Sequence, residues 1–197
     1  REGQEADKVS GVIAGTIDIT DPAYSTETAK AISHANGGEI SGGVITTRMT
    51  ANLGYGYVGI NAKNVCVAGQ SGSDASKALR KALATVISVY RDVAVDSYYG
   101  EYANVINYPI SDTSWAAPRV TDEGYRTAFS VASEGNPIYT GDMTPETRYA
   151  AAKEAALGFF KAAGYTVKNG RVTAPPEGGK MAYEVLVGAV GTGDHPT

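Results

Sequence analysis

The chain has 197 residues, 43% of them hydrophobic, with a formal net charge of −4 and a pI near 5.2. That length can bury a core, and the acidic balance lacks the basic stripe by which a protein displaces counterions from a nucleic acid. No apolar run reaches the ~18 residues of a membrane-crossing helix, and Cys66, the sole cysteine, excludes an internal disulfide.

Thirteen tyrosines against three phenylalanines suit Tyr-rich strands, since a tyrosine ring packs while its hydroxyl stays wet. The opening "REGQEADKVSG" carries neither an initiator methionine nor a charged-then-apolar leader pattern, so a piece of a longer protein is expected. Residues Val9 to Ile19, "VSGVIAGTIDI", end in alternation and predict a strand. "DPAYSTETAKAISHANGG" predicts a helix capped by Ser25 or Thr26 and closed by Gly37-Gly38. His34 falls in its last turn, where a cation offsets the helix dipole.

"EISGGVITTRMTANLGYGYVGINAKNVCVAG" is rich in Val, Ile, Thr and Tyr and predicts two or three strands. Within it "GYGYVG", Gly54 to Gly59, has the G-x-G-x-x-G spacing of a dinucleotide turn. Strand rather than helix is expected after it, so the glycines are read as strand bends, with Tyr55 and Tyr57 on one face. In the run "NVCVAG" that follows, Cys66 reads as a small buried hydrophobe. "SGSDASKALRKALATVISVYRD" predicts a helix capped by Ser73. Leu79, Ala82, Leu83, Val86, Ile87 and Tyr90 form its apolar stripe, and Lys77, Arg80, Lys81 and Arg91 lie largely outside it. "GQSGS" comes close to the G-x-S-x-G elbow of a hydrolase around Ser71, with Ser73 in place of the last glycine.

Residues 96–142 read as long irregular loop with short helical turns. "TPETRYAAAKEAALGFFKAAGY" predicts a helix with Thr144 as cap, Pro145 in first position and Gly164 beyond its end. "YTVKNGRVTA" predicts a hairpin turning at Asn169-Gly170, and "MAYEVLVGAV" a further strand. Interleaved strands and helices give a mixed α/β (α+β) class: a mixed sheet flanked by helices, in one domain over residues 1–197. Two histidines and one cysteine, widely separated, show no metal-ligand spacing, and neither metal nor cofactor is expected.

Leu79-Arg80-Lys81-Ala82-Leu83, then Tyr99-Gly100 with Ala103, then Pro109 through Trp115, resemble in order the extracellular solute-binding proteins of the oligopeptide, dipeptide and nickel-type ABC importers (family 5). "AAAKEAALGFFKAAGYTVKNGRV" looks like that family's alanine-glycine-tyrosine helix, and "YEVLVGAV" like the strand its hairpin enters. "AGTIDIT" and "GYGYVGINA" also fit the family order. Ser88, where an aspartate is often found, and the long "SWAAPRVTDEGY" depart from it.

The resemblance implies one lobe, the carboxyl-side one, of a two-lobed periplasmic-binding-protein type II-like fold that closes on a peptide or similar small solute without covalent chemistry. It further implies a membrane permease as partner, a monomer, and an extracytoplasmic address with a lipid-anchored parent chain. Gly193, Asp194 and His195, in a Gly-rich turn after a strand, are candidate ligand contacts because such a turn presents amides to a carboxylate. Trp115 is a candidate for stacking on the ligand, with a packing anchor as its alternative. An esterase using Ser71 and a surface adhesion or scaffold module are the other readings.

Overall fold

Helix starts follow their capping residues in the computed structural model, which describes residues 5–51 and 53–186. Among them five α-helices form: α1 (Glu5–Ile13), α2 (Thr26–Ala35), α3 (Asp74–Val89), α4 (Arg91–Tyr99) and α5 (Pro145–Ala162). Ser25 caps α2, its Oγ accepting from the Thr28 amide at 3.0 Å. Ser73 does the same for α3 through the Ser76 amide at 3.2 Å, and Thr144 for α5 through the Thr147 amide at 3.3 Å. Pro145 opens α5, and Gly164 just beyond its end takes φ +86°. Thr144→Ala is therefore expected to lower stability by about 1 kcal/mol, read as a lower urea midpoint at unchanged slope.

Strands β1 (Thr166–Lys168) and β2 (Arg171–Ala174) pair antiparallel, Val167 opposite Val172 and Lys168 opposite Arg171. Asn169 and Gly170 turn between them at φ +50° and +69°, the positive angles of a type I′ hairpin. The class is mixed α and β, and this hairpin is the sheet present among the described residues.

Three predicted strand regions take other forms. Val9 to Ile13 forms the end of α1, Val9, Val12 and Ile13 repeating at helical spacing, and Ala14 to Ile19 is turn and irregular chain. After α1 the amides of Thr16 and Ile17 both reach back to the Gly11 carbonyl. A Cβ on Gly11 would lie 2.5 Å from Ile17 Cδ1, so glycine permits that return. The stretch Glu39 to Gly69 contains no strand among its described residues, because local acceptors take the amides a ladder needs. Asn36 Oδ1 accepts from the Val44 and Ile45 amides at 3.3 and 2.9 Å, Ser41 Oγ from Thr47, and Asn61 Oδ1 from Lys63. Met181–Leu186 lies outside the sheet, and the rest of that predicted strand, 187–190, falls outside the described residues.

The chain, read from sequence as one domain, divides by its contacts into two compact units. The first holds the described residues up to Leu53 together with Asp92–Val105. It contains α1, α2 and most of α4, which ends in a 3₁₀ turn, Gly100–Tyr102. Ile32 of α2 is buried, and the Tyr24 ring meets Tyr99 and Tyr102 at centroid distances of 6.4 and 4.7 Å.

The second unit, Gly54–Arg91 with Ile106–Leu186, carries α3, α5 and the hairpin. Helices α3 and α5 run antiparallel: Tyr90 stacks on Tyr149 at 4.7 Å near one end, and Lys81 Nζ sits 5.9 Å from the Phe159 ring toward the other. Small buried side chains (Ala82 on α3, Ala152 and Ala156 on α5) let the axes approach. Ser76, Leu79, Ala82 and Thr85 carry the buried face of α3, whereas Val86, Ile87 and Tyr90 of the predicted stripe are exposed. The burial thus follows the α5 surface, and a polar residue, Thr85, takes a place that apolarity alone assigned to its neighbours. Val65, Leu79, Ala163 and Tyr165 form the core, with Ile60, Val67, Leu83, Phe160, Val172 and Tyr183 packed on it. Cys66 is buried beside it, as its apolar run predicts.

Candidate functional site

Arg80, placed by sequence on the solvated face of α3, is half-buried and turns inward. Its Nη1 donates to the Val65 carbonyl at 3.1 Å and its Nη2 to the Ser71 carbonyl at 2.8 Å, binding the turn before the helix to the helix itself. The Ser76 hydroxyl accepts from the Val67 amide at 2.9 Å in the same turn. Ser71, the hydrolase candidate, is exposed there, and no strand precedes it among the described residues. No helix starts directly after Gly59, the next being α3 at Asp74, so a pyrophosphate would find no helix amides at "GYGYVG". The Tyr55 and Tyr57 rings lie 6.4 Å apart, in a stretch that forms no strand and so has no strand face.

The irregular residues beyond α4 are organised by side chains that supply what a ladder would. Arg91 donates to the Ile106 carbonyl at 2.9 Å and to Asn107 Oδ1 at 3.3 Å. Asn107 Oδ1 also accepts from the Ala128 amide at 3.1 Å, and its Nδ2 donates to the Tyr125 hydroxyl at 2.9 Å. Tyr108 receives the Arg126 amide at 2.9 Å. One asparagine thereby fixes chain that arrives from both directions.

Trp115 stands on the next turn and is 94% exposed, so it is not the packing anchor that its Pro-flanked setting suggested. Its backbone is nonetheless held. Arg119 Nη1 donates to the Asp112 carbonyl at 2.6 Å and Nη2 to the Ser114 carbonyl at 3.0 Å, while the Arg119 amide meets Asp122 Oδ2 at 2.7 Å. Ser111 and Ala117, before and after Trp115 in sequence, are buried. Gly193, Asp194 and His195 lie outside the described residues.

A groove of about 580 Å³ that sequence reading did not anticipate runs between α5, the hairpin turn and the segment around Val131–Pro137. Buried Ile138 and Leu157 contribute apolar lining, and the exposed Glu134, Glu154 and Lys161 contribute charge. The Ser133 hydroxyl bond, then the residue's own amide, and then the charge of Lys161 hold the Glu134 carboxyl below the usual glutamate range. Small residues at helical spacing on α5, Ala151, Ala155 and Gly158, were the one sequence signal of a recessed face. A Cβ at Gly158 would meet Ser133 Oγ at 3.0 Å. Among the described residues no three His, Cys, Asp or Glu side chains gather as metal ligands. No described helix is long and apolar enough to cross a membrane.

At the core edge the Tyr165 hydroxyl lies 2.8 Å from the Lys180 carbonyl and 3.0 Å from the Tyr183 hydroxyl, tethering the segment after the hairpin. Burial, then the bond to Tyr165, raises the Tyr183 hydroxyl well above the ordinary tyrosine value. The chain matches no protein-family model, no curated protein and no solved structure.

Proposed function

We propose that this chain is part of the substrate-binding component of an ABC importer, capturing oligopeptides or a similar small solute by lobe closure. The observation that supports the reading is a convergence. The arginine-helix segment, Leu79 to Leu83, and the Ala163-Gly164-Tyr165 end of the second motif are some eighty residues apart in sequence yet meet in one core. Motifs that carry a resemblance and also build a common scaffold are consistent with the resemblance in a way that scattered motifs are not. Within that scaffold Arg80 has a physical task, securing the turn ahead of its helix.

The chemistry is binding without bond-making. Each lobe supplies part of an enclosing surface, and closure desolvates main-chain and terminal-charge contacts that hold a peptide with loose regard for its side chains. One lobe owns half of that surface, so the 197-residue chain alone binds weakly or not at all. The reading carries with it a permease partner, a monomeric state and an extracytoplasmic, lipid-anchored parent.

The test is calorimetric titration of di- to pentapeptides into the longer gene product that carries this chain. Saturable binding there, with little or none to the 197-residue chain, is expected. Absence of peptide binding to the longer protein sinks the proposal. Turnover of an activated ester that disappears in Ser71→Ala would instead establish the esterase reading.

A further inference from the structure

We infer that Asn169, at the tip of the β1–β2 hairpin, is a site of spontaneous deamidation to aspartate and isoaspartate, and that the fold spares Asn36. Two Asn-Gly steps occur in the chain, Asn36-Gly37 and Asn169-Gly170. Glycine has no Cβ to shield the nitrogen that follows an asparagine, so both steps are chemically competent. The structure separates them. Asn36 Oδ1 accepts from the Val44 and Ile45 amides, and its Nδ2 donates to the Ile45 carbonyl at 2.9 Å. The Gly37 amide donates to the His34 carbonyl at 3.3 Å, so nucleophile and electrophile of this step are both engaged. Turning Asn36 into reach would also break the end of α2. There the Asn36 and Gly38 amides reach the Ile32 and Ser33 carbonyls at 3.1 and 2.8 Å.

At Asn169 neither reactant is held. Asn169 and Gly170 are exposed, and the Asn169 side chain makes no hydrogen bond with any described residue. In a two-residue hairpin the flanking pair, here Lys168 and Arg171, closes the turn, and the amide of the second turn residue faces water. Once hydroxide removes the Gly170 amide proton, that nitrogen attacks Asn169 Cγ. The N–Cγ bond forms, the Cγ–Nδ2 bond breaks, and Nδ2 leaves as ammonia with a proton from water. Water then opens the five-membered imide at either carbonyl, giving aspartate or isoaspartate with no change of oxidation state. Lys168 and Arg171 flank the anion that forms, while Glu134, Glu154 and Lys161 carry the charge on the other walls of the groove. Each event places a carboxylate where the groove had an amide, and isoaspartate also lengthens the main chain through the turn.

The experiment ages the 197-residue chain in mildly alkaline buffer, natively and in about 8 M urea. A glutamate-specific protease then releases residues 28–39 and 155–177. Each contains a single asparagine and no glutamine, so the mass gain of amide-to-acid conversion reports each site by itself. Natively, residues 155–177 are expected to gain mass about tenfold or more faster than residues 28–39, because only Asn36 must open before it reacts. In urea the two rates are expected to agree within about threefold, since both are then Asn-Gly steps in open chain. Asn169→Gln, whose longer side chain must close a six-membered ring, is expected to remove the gain from residues 155–177. Native rates that agree and fall well below their urea values overturn the inference, because the turn would then guard its own asparagine. Native rates equal to the urea rates at both sites overturn it as well, since Asn36 would be unprotected. A tenfold gap that persists in urea assigns the difference to sequence and has the same effect.

Discussion

Leu79→Ala is expected to destabilise the second unit by about 2–5 kcal/mol. Leu79 has no exposed surface, and it is the residue of α3 at which Val65, Ala163 and Tyr165 converge. Removing its branched end costs the transfer free energy of the lost carbons plus the energy of the cavity left behind. The walls have little freedom to collapse into that cavity. Tyr165 is fixed by its hydroxyl to the Lys180 carbonyl, and Val65 belongs to a turn whose carbonyls are gripped by Arg80. The upper part of the range is therefore expected. Domains of this size are stable by about 5–15 kcal/mol, so the loss takes a large share of the total. Urea unfolding followed by far-ultraviolet circular dichroism measures it. Leu53→Ala, at a residue 70% exposed, is the control and should change stability by less than about 0.5 kcal/mol. Similar losses in the two variants would show that the core is centred elsewhere.

Gly178→Ala is expected to cost about 2–4 kcal/mol, for two separable reasons. Gly178 holds φ +68°, where an alanine Cβ crowds its own backbone. An added Cβ would also lie 2.8 Å from Ala68 Cα and 3.2 Å from Ala68 N. That neighbour is backbone and has no flexible end to swing aside. It is moreover bonded, since the Ala68 amide donates to the Gly178 carbonyl at 3.0 Å. Relief of the clash must therefore shift the "PPEGGK" loop, the Ala68 turn or both. Gly170→Ala isolates the first cost, because Gly170 has φ +69° and nothing within 4 Å of an added Cβ. The Gly178 variant should lose about 1–3 kcal/mol more than the Gly170 variant in the same unfolding measurement. Equal losses would mean that the contact with Ala68 carries no energy.

What the sequence determined by itself is local. Ser25, Ser73 and Thr144 announce helix starts because a side-chain oxygen and the amide it caps lie three residues apart. Asn169-Gly170 announces a hairpin because the turn's positive φ angles restrict which residues fit. Each signal contains its own cause within a few positions.

Only the tertiary structure decided which β-forming stretches pair and which faces are buried. Val9 to Ile19 and Glu39 to Gly69 have the composition of strands, but a strand needs a partner, and local bonds such as those to Asn36 and Asn61 claim the backbone first. Arg80 looks solvated by its place on the helical wheel and turns inward because carbonyls of a separate turn lie within its reach. The α5 groove likewise required its lining segments to be brought together. Trp115 shows both limits at once. Its sequence setting names a residue able to stack, whereas its exposure and the Arg119 clamp depend on where the folded chain leaves it. Capping and turn geometry are fixed over a few bonds, while pairing and burial depend on whichever distant surface arrives.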